Sequence, residues 1–372
     1  MSADQVPVPV PVPVPFNALT PAEDAADVKA AIDRVLASGW FVLGPEVEAF
    51  EHEFGAASRV PHAVGVGTGT DAISLILRAL DVGPGDEVIT TPLSAAFSAF
   101  AIMMTGARPV FADIDPERLT LDPRAAAAAV TSRTRAIMPV HLYGQAADMR
   151  PLEALASRHN LALVEDAAQA HLATADGRPV GTIGVAAATS FYPTKNLGAA
   201  GDGGAVLTRD AQLAMRVKRL RNGGQSSRYR HDEFGVNTRL DEMQAAILRA
   251  RLHYLPAWTA KRRAIAARYR AALQGAPVRV PRELDAGHVY HLFPVLSAER
   301  DRFQAHMKLR EVETLIHYPV AISQQPALAS TSPAMCPIAD LVCSQVVSLP
   351  MYPGLSEAAV AAVAEAASTF GR

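Results

Sequence analysis

The sequence predicts an α/β protein built on a mainly parallel sheet covered on both faces, followed by a smaller α+β unit. Short apolar segments without polar alternation recur between helix-like segments through the first two thirds of the chain. Strands of that kind are buried on both sides, as in sheets with helices on each face. After Asp241 the pattern changes to long helices and then to isolated short strands. The 372 residues, 49% hydrophobic and 19% charged, suit two cores better than one.

Taken in order, the chain opens with an alternating Val-Pro run, Val6 to Pro15. Repeated proline fixes φ and removes amide donors, so residues 1–15 are expected to form an extended tail outside the fold. Val28, Ile32, Val35 and Leu36 recur at helical spacing up to Gly39, and Val47, Phe50 and Phe54 begin a second amphipathic helix. His62–Gly67 reads as a strand and is followed by a helix through Leu80. Strands are then expected at Glu87–Thr91, Pro109–Asp113, Arg135–Val140, Leu161–Glu165, Ala186–Phe191 and Gly204–Thr208, with helices at Ser94–Thr105, Met149–His159 and Ala211–Arg221. Beyond them come helices at Met243–Leu255 and Ala260–Leu273, a strand at Val289–Leu296, a helix at Arg300–Arg310, a strand at Thr314–His317 and a last helix at Glu357–Thr369. The expected division is a tail at 1–15, a large domain at 16–248 and a small domain at 249–372.

Lys plus Arg (35) nearly balance Asp plus Glu (37) and no long basic run occurs, which argues against nucleic acid and anionic membrane as partners. No apolar run reaches the roughly 18 to 20 residues of a membrane span, and the first residues lack the basic start and apolar core of a signal peptide. The only cysteines, Cys336 and Cys343, form neither a disulfide framework nor a Cys-x-x-Cys metal site. A cytoplasmic protein without a metal centre is the expectation.

Chemistry-bearing residues gather where the expected strands end. The strand at 186–191 stops at Pro193, and Lys195 and a glycine-dense segment to Gly204 follow. A lysine standing inside a cleft at such a place can form a Schiff base with a carbonyl, as in enzymes that use pyridoxal phosphate (PLP); on an open surface it is only a solvated charge. Thr68-Gly-Thr-Asp71 lies between a strand and a helix, where free first-turn amides make an anion site, or where Thr68 simply caps the helix. Asp166 follows an apolar strand. A carboxylate there could keep a pyridine nitrogen protonated, since two unit charges about 4 Å apart attract by roughly 4 kcal/mol at an effective dielectric near 20, or it could cap a helix. Gln169 could donate to the cofactor's phenolic oxygen and Ser190 to its phosphate.

Taken together, these segments make the chain resemble, from about Phe16 to Gly371, the DegT/StrS family of PLP-dependent sugar aminotransferases. The matching segments are Gly44-Pro45 with Phe50-Glu51, Gly67-Thr-Gly-Thr-Asp-Ala72, Gly85-Asp-Glu-Val88, Pro139-Val-His-Leu-Tyr-Gly-Gln145 and Glu165-Asp-Ala-Ala-Gln169. Ser190-Phe-Tyr-Pro-Thr-Lys-Asn196, Gly201-Asp-Gly-Gly204, Asn237-Thr-Arg-Leu-Asp241, Ile316-His-Tyr-Pro319 and Ser348-Leu-Pro-Met-Tyr-Pro353 complete the set.

The resemblance implies a type I PLP-dependent transferase fold, like that of aspartate aminotransferase, working as a homodimer with shared active sites. It implies a Schiff base on Lys195, the pyridinium partner at Asp166 and a cofactor contact at Gln169. Phosphate contacts would come from Gly69, Thr70 and Ser190, and from Asn237 of the partner subunit. Tyr192, His317 and Tyr318 would lie near the substrate. The implied reaction moves an amino group from glutamate to a nucleotide-linked keto sugar, at C3 rather than C4, for surface polysaccharide or a glycosylated metabolite. A sugar dehydratase of the same fold would have histidine in place of Lys195, and a non-catalytic regulator would not need this residue set. The chain departs from the family at Ala95, where an aromatic usually stacks on the cofactor ring; Phe97 is the candidate to replace it.

Overall fold

The computed structural model describes residues 13–331 and 333–371; the Val-Pro segment up to residue 12 lies outside them. Its centre is a seven-stranded sheet made of β1 (His62–Val66), β2 (Glu87–Thr90), β3 (Arg108–Phe111), β4 (Thr134–Met138), β5 (Ala162–Asp166), β6 (Ala186–Ser190) and β7 (Gly204–Thr208). Their spatial order is β1-β7-β6-β5-β4-β2-β3. All neighbouring pairs are parallel except those of β7, which runs antiparallel to both β6 and β1. The carboxyl ends of β1, β5 and β6 therefore share one edge with the amino end of β7.

Successive side chains of a strand point to opposite faces, and the core divides accordingly. Ile89, Ile137, Leu163, Ala187 and Leu207 pack with helices α2 (Pro45–Ala57), α6 (Met149–His159) and α8 (Glu242–Leu252). Their alternates Val88, Met138, Val164, Ala186 and Val206 pack with α3 (Gly69–Ala79), α4 (Phe97–Met103) and α7 (Ala211–Leu220). A further helix, α1 (Ala25–Ser38), adds Ala31 and Val35 against Ala246 of α8 and ends at Gly39, whose φ of 63° suits a residue without Cβ. Gly44, Glu46 and Val47 donate their amides to the buried Glu242 carboxylate, which fastens the start of α2 to the first turn of α8.

A second core is built around α9 (Leu255–Ala272), β8 (Phe293–Leu296), α10 (Arg300–Leu309), β9 (Val346–Leu349) and α12 (Glu357–Ser368), with β8 and β9 antiparallel. Between α10 and β9, α11 (Pro337–Gln345) covers a third cluster that includes Cys336 and Cys343, both free and buried. Among the described residues no helix is long and apolar enough to cross a membrane.

Three expectations are corrected. Val14 is 6% exposed and belongs to the second core, with its amide donating to Glu311 O and its carbonyl accepting from Glu313 N. The end of the proline-rich segment is thus part of the fold, because a valine between two prolines still offers one amide, one carbonyl and an apolar side chain. Thr314–His317 is not a strand; only Leu315 bridges to Ser348. The helix expected from Ser94 begins at Phe97. Helix α11 and strand β9 did not stand out in the sequence, nor did the short helix α5 (Pro123–Ala128).

Glu165 fixes the connection between β5 and β6. Fully buried, it accepts from the amides of Gly181 (2.9 Å), Ile183 (3.0 Å) and Gly184 (2.8 Å) and pairs with His141 Nε2 (3.1 Å). Burial pushes its carboxyl up, but His141 and the amides outweigh this and hold it below the usual range. Glu165→Ala would leave these donors unpaired, and each such group costs about 1–3 kcal/mol. A loss of at least about 3 kcal/mol in denaturant unfolding is expected; a change below about 1 kcal/mol would contradict this anchoring role.

Candidate active site

Lys195 sits on a turn that is fastened at its start. Phe191, fully buried, meets Phe50 and Phe54 edge-on at 5.3 and 5.2 Å, its amide donates to Gly203 O and its carbonyl accepts from Ala199 N. Between these points the chain loops out, with Lys195 N donating to Tyr192 O at 2.8 Å. Asn196 ties the turn to the segment before β8, donating from Nδ2 to Val289 O (2.9 Å) and meeting His291 Nδ1 with Oδ1 (3.2 Å).

Asp166 ends β5, 3% exposed, and accepts from Ser98 Oγ (2.7 Å) and Ala168 N (3.1 Å). Ser98, on the first turn of α4, in turn lies 3.2 Å from Ser94 Oγ. Sequence reasoning missed Ser98, because nothing local marks a helical serine as facing a carboxylate on another strand. Gln169 accepts from Tyr143 N with Oε1 (2.7 Å) and donates from Nε2 to Tyr318 Oη (3.1 Å). His317, beside Tyr318, pairs through Nδ1 with Ser348 Oγ (3.0 Å), and its carbonyl accepts from Tyr143 Oη.

At the start of α3, Thr68 uses its hydroxyl as a cap, accepting from Asp71 N and donating to the Asp71 carboxylate. The bland expectation for Thr68 therefore holds, and the amides of Gly69 and Thr70 are left over at the helix start. This turn lies against the end of β6. A Cβ on Gly69 would stand 2.8 Å from Ser190 Cβ, and one on Gly204 only 2.4 Å from Thr68 C. Only glycine at both positions lets the helix start approach Ser190 this closely.

Charge around the lysine is arranged by burial. Burial pulls the Lys195 ammonium down from its ordinary 10.5 to about 8, while the attraction of Asp166 works against that fall. His171 falls to about 3 and His317 to about 4, each by burial first and by the Lys195 charge second. His291 is driven well below its ordinary value for the same reasons. Three neutral imidazoles thus flank one amine. His171 Nε2 donates to Ser190 O at 2.9 Å, and its buried Nδ1 has no partner among the described residues. Burial raises the Tyr318 phenol to about 12.

Beside Lys195 opens a cavity of about 350 Å³, a size suited to a small organic ligand. Asn17, Arg251, Trp258, Arg262 and Tyr352 are among its walls. Gly69, Ser190, Asp166, Gln169, Lys195, His317 and Tyr318 gather at the sheet edge, and of these only Lys195 lines that cavity. Tyr192 is half-exposed, and its amide makes a long 3.4 Å contact with Ser190 Oγ. Asn237 is exposed and bridged to Asn222. Ala95 is half-buried, whereas Phe97 is 63% exposed and packs edge-on against Phe100, so Phe97 does not fill the position left by Ala95.

The amine's position yields a direct test in the cofactor-free protein. Imine formation between Lys195 and a small aldehyde, trapped with borohydride and read by mass spectrometry, should rise with pH around a midpoint near 8. Asp166→Asn removes the attraction that props the ammonium up, so the midpoint should fall further. A midpoint at the ordinary lysine value, or an upward move in the variant, contradicts this account.

Comparison with known proteins places the chain among its relatives. The model of the DegT/DnrJ/EryC1/StrS aminotransferase family matches residues 22–368. The dTDP-3-amino-3,4,6-trideoxy-alpha-D-glucose transaminase of Streptomyces venezuelae is 49% identical over 337 residues, 89% of this chain and 88% of the relative. A UDP-N-acetyl-3-dehydro-alpha-D-glucosamine 3-aminotransferase of Acidithiobacillus ferrooxidans is 42% identical, covering 91% of this chain and 92% of the relative. The crystal structure of S. venezuelae DesV in complex with a ketimine intermediate superposes with a TM-score of 0.93 at 47% identity, over 95% of this chain and 97% of that one.

Proposed function

The chain belongs to the DegT/DnrJ/EryC1/StrS aminotransferase family, and we propose that it uses PLP to move the amino group of glutamate to C3 of a nucleotide-linked keto sugar. The observation that carries this reading is Lys195, half-buried at the sheet edge, within the electrostatic reach of Asp166 and next to a cavity. The residues present fit the cofactor. Gly69 and Thr70 amides with the Ser190 hydroxyl would take the phosphate, in the cradle that a Cβ on Gly69 would fill. Asp166 would face the ring nitrogen, steadied by Ser98. Gln169 would face the phenolic oxygen, and Lys195 Nζ would hold the aldehyde carbon. Once bound, the cofactor supplies an electron sink for the carbanion left when a proton leaves carbon.

The chain's own groups do the rest. Lys195 Nζ would take and return the proton at the donor's α-carbon, and an amine titrating near 8 is suited to both at neutral pH. The neutral imidazoles of His171, His291 and His317 add no positive charge to compete with it. His317 and Tyr318, brought over the site from the small unit, would line the sugar side together with Tyr192.

C3 is favoured because the two relatives above carry the 3-position in their names. Arg228 and Arg230, on an exposed hairpin where they contact Tyr229 and Asp232, and Arg239, which donates to Asn222, are the candidates to meet the donor's carboxylates. A homodimer, with Asn237 of the partner subunit completing the phosphate site, accounts for the exposure of Trp40, Phe41 and Phe234. Cytoplasmic location agrees with the two unpaired cysteines.

Visible absorption of the PLP-loaded protein tests the reading. Glutamate should bleach the band of the lysine-bound cofactor, and a 3-keto nucleotide sugar should restore it faster than its 4-keto isomer. Lys195→Ala should fold normally and show no turnover. A band indifferent to glutamate would overturn the donor assignment, and turnover in Lys195→Ala would overturn the mechanism.

A further inference from the structure

We infer that Phe16, carried on the strap that leads into α1, is a positioning residue that holds the His317 imidazole in place at the sugar side of the site. The strap is latched at both ends. Val14 is fixed by backbone hydrogen bonds to Glu311 and Glu313, and Phe16 N donates to Glu313 Oε2 at 2.9 Å. At the other end Asp24 pairs with Arg251 (2.8 Å), while Glu23 accepts from Trp258 Nε1 (2.7 Å) and Lys261 Nζ (2.8 Å). Between the latches, Asn17 to Asp24 form one wall of the cavity on which Lys195 opens.

Phe16 therefore has a defined place, and it stacks on His317 with ring centroids 5.6 Å apart and planes 29° from parallel. The other constraints on His317 act at its edge or its backbone. Ser348 Oγ holds Nδ1, Tyr143 Oη holds the carbonyl, and Tyr318 meets the ring at 88°. One hydrogen bond at Nδ1 leaves the ring able to rotate about it. A flat surface parallel to the ring removes that freedom, and Phe16 supplies it. Residues 14–16 thus contribute to the reaction although they lie outside the residues that the family model matches.

The inference rests on the reading of His317 as a sugar-side group, and the two are separated by measuring the half-reactions individually in the PLP-loaded protein. Phe16→Leu keeps apolar volume and the Val14 latch but loses the flat ring, and Phe16→Tyr keeps the ring. For Phe16→Leu, kcat/KM of the half-reaction with a 3-keto nucleotide sugar should fall by about 10- to 100-fold, the range expected when a substrate-positioning group is misplaced. The glutamate half-reaction should be unchanged, and Phe16→Tyr should restore the sugar half-reaction. His317→Ala should produce a comparable loss, and adding Phe16→Leu to it should cost little more, since an absent ring needs no support. Fully additive losses, or equal damage to both half-reactions, would overturn the positioning role while leaving His317 in place. No effect of His317→Ala would overturn both.

Discussion

Glu165 and Asp166 leave β5 on opposite faces, because successive side chains of an extended chain alternate. Glu165 is absorbed by three amides of the loop entering β6 and by His141. Asp166 points the other way, to Ser98 and toward Lys195. The first carboxylate therefore fixes the relative height of β5 and β6, and the second depends on that height to face the amine carried by the turn after β6. The closeness of α3 to Ser190 depends on the same registration, since glycine at 69 and 204 only permits an approach that the strands must deliver.

The small unit is coupled to this frame by polar contacts at the site itself. Gln169 reaches Tyr318, Asn196 reaches His291 and the carbonyl of Val289, and Tyr143 reaches the carbonyl of His317. Residues of the large sheet's edge are thus held by the residues they work with. Burial of this junction keeps the imidazoles neutral and brings the lysine's titration toward neutrality, so packing and proton chemistry have one cause.

Much of the arrangement was legible beforehand because it is local. Thr68, Asp166 and Ser190 each close an apolar strand, and an apolar run that stops at a polar residue marks a strand end without reference to the rest of the chain. Lys195 follows a proline and precedes glycines, which is a turn signal of the same local kind. Ser98, His171 and Asn196 were not picked out for their roles, because their partners lie on other elements and their own neighbourhoods look like ordinary helix or loop. The bridge at Val14 is hidden for a related reason: proline on both sides excludes a helix, but it does not exclude one bridge to a strand-like partner at Val312.

By itself, then, the sequence determined the α/β class, the positions of nearly all strands of the large sheet and the amine and carboxylate that face each other, since periodicity and strand ends are properties of neighbouring residues. Only the tertiary structure decided that β7 runs against its neighbours, that Phe97 turns outward while Ala95 stays beside the site, and that Phe16 lies on His317. Each of those depends on contacts between residues far apart in the chain, and such contacts are set by how whole elements pack.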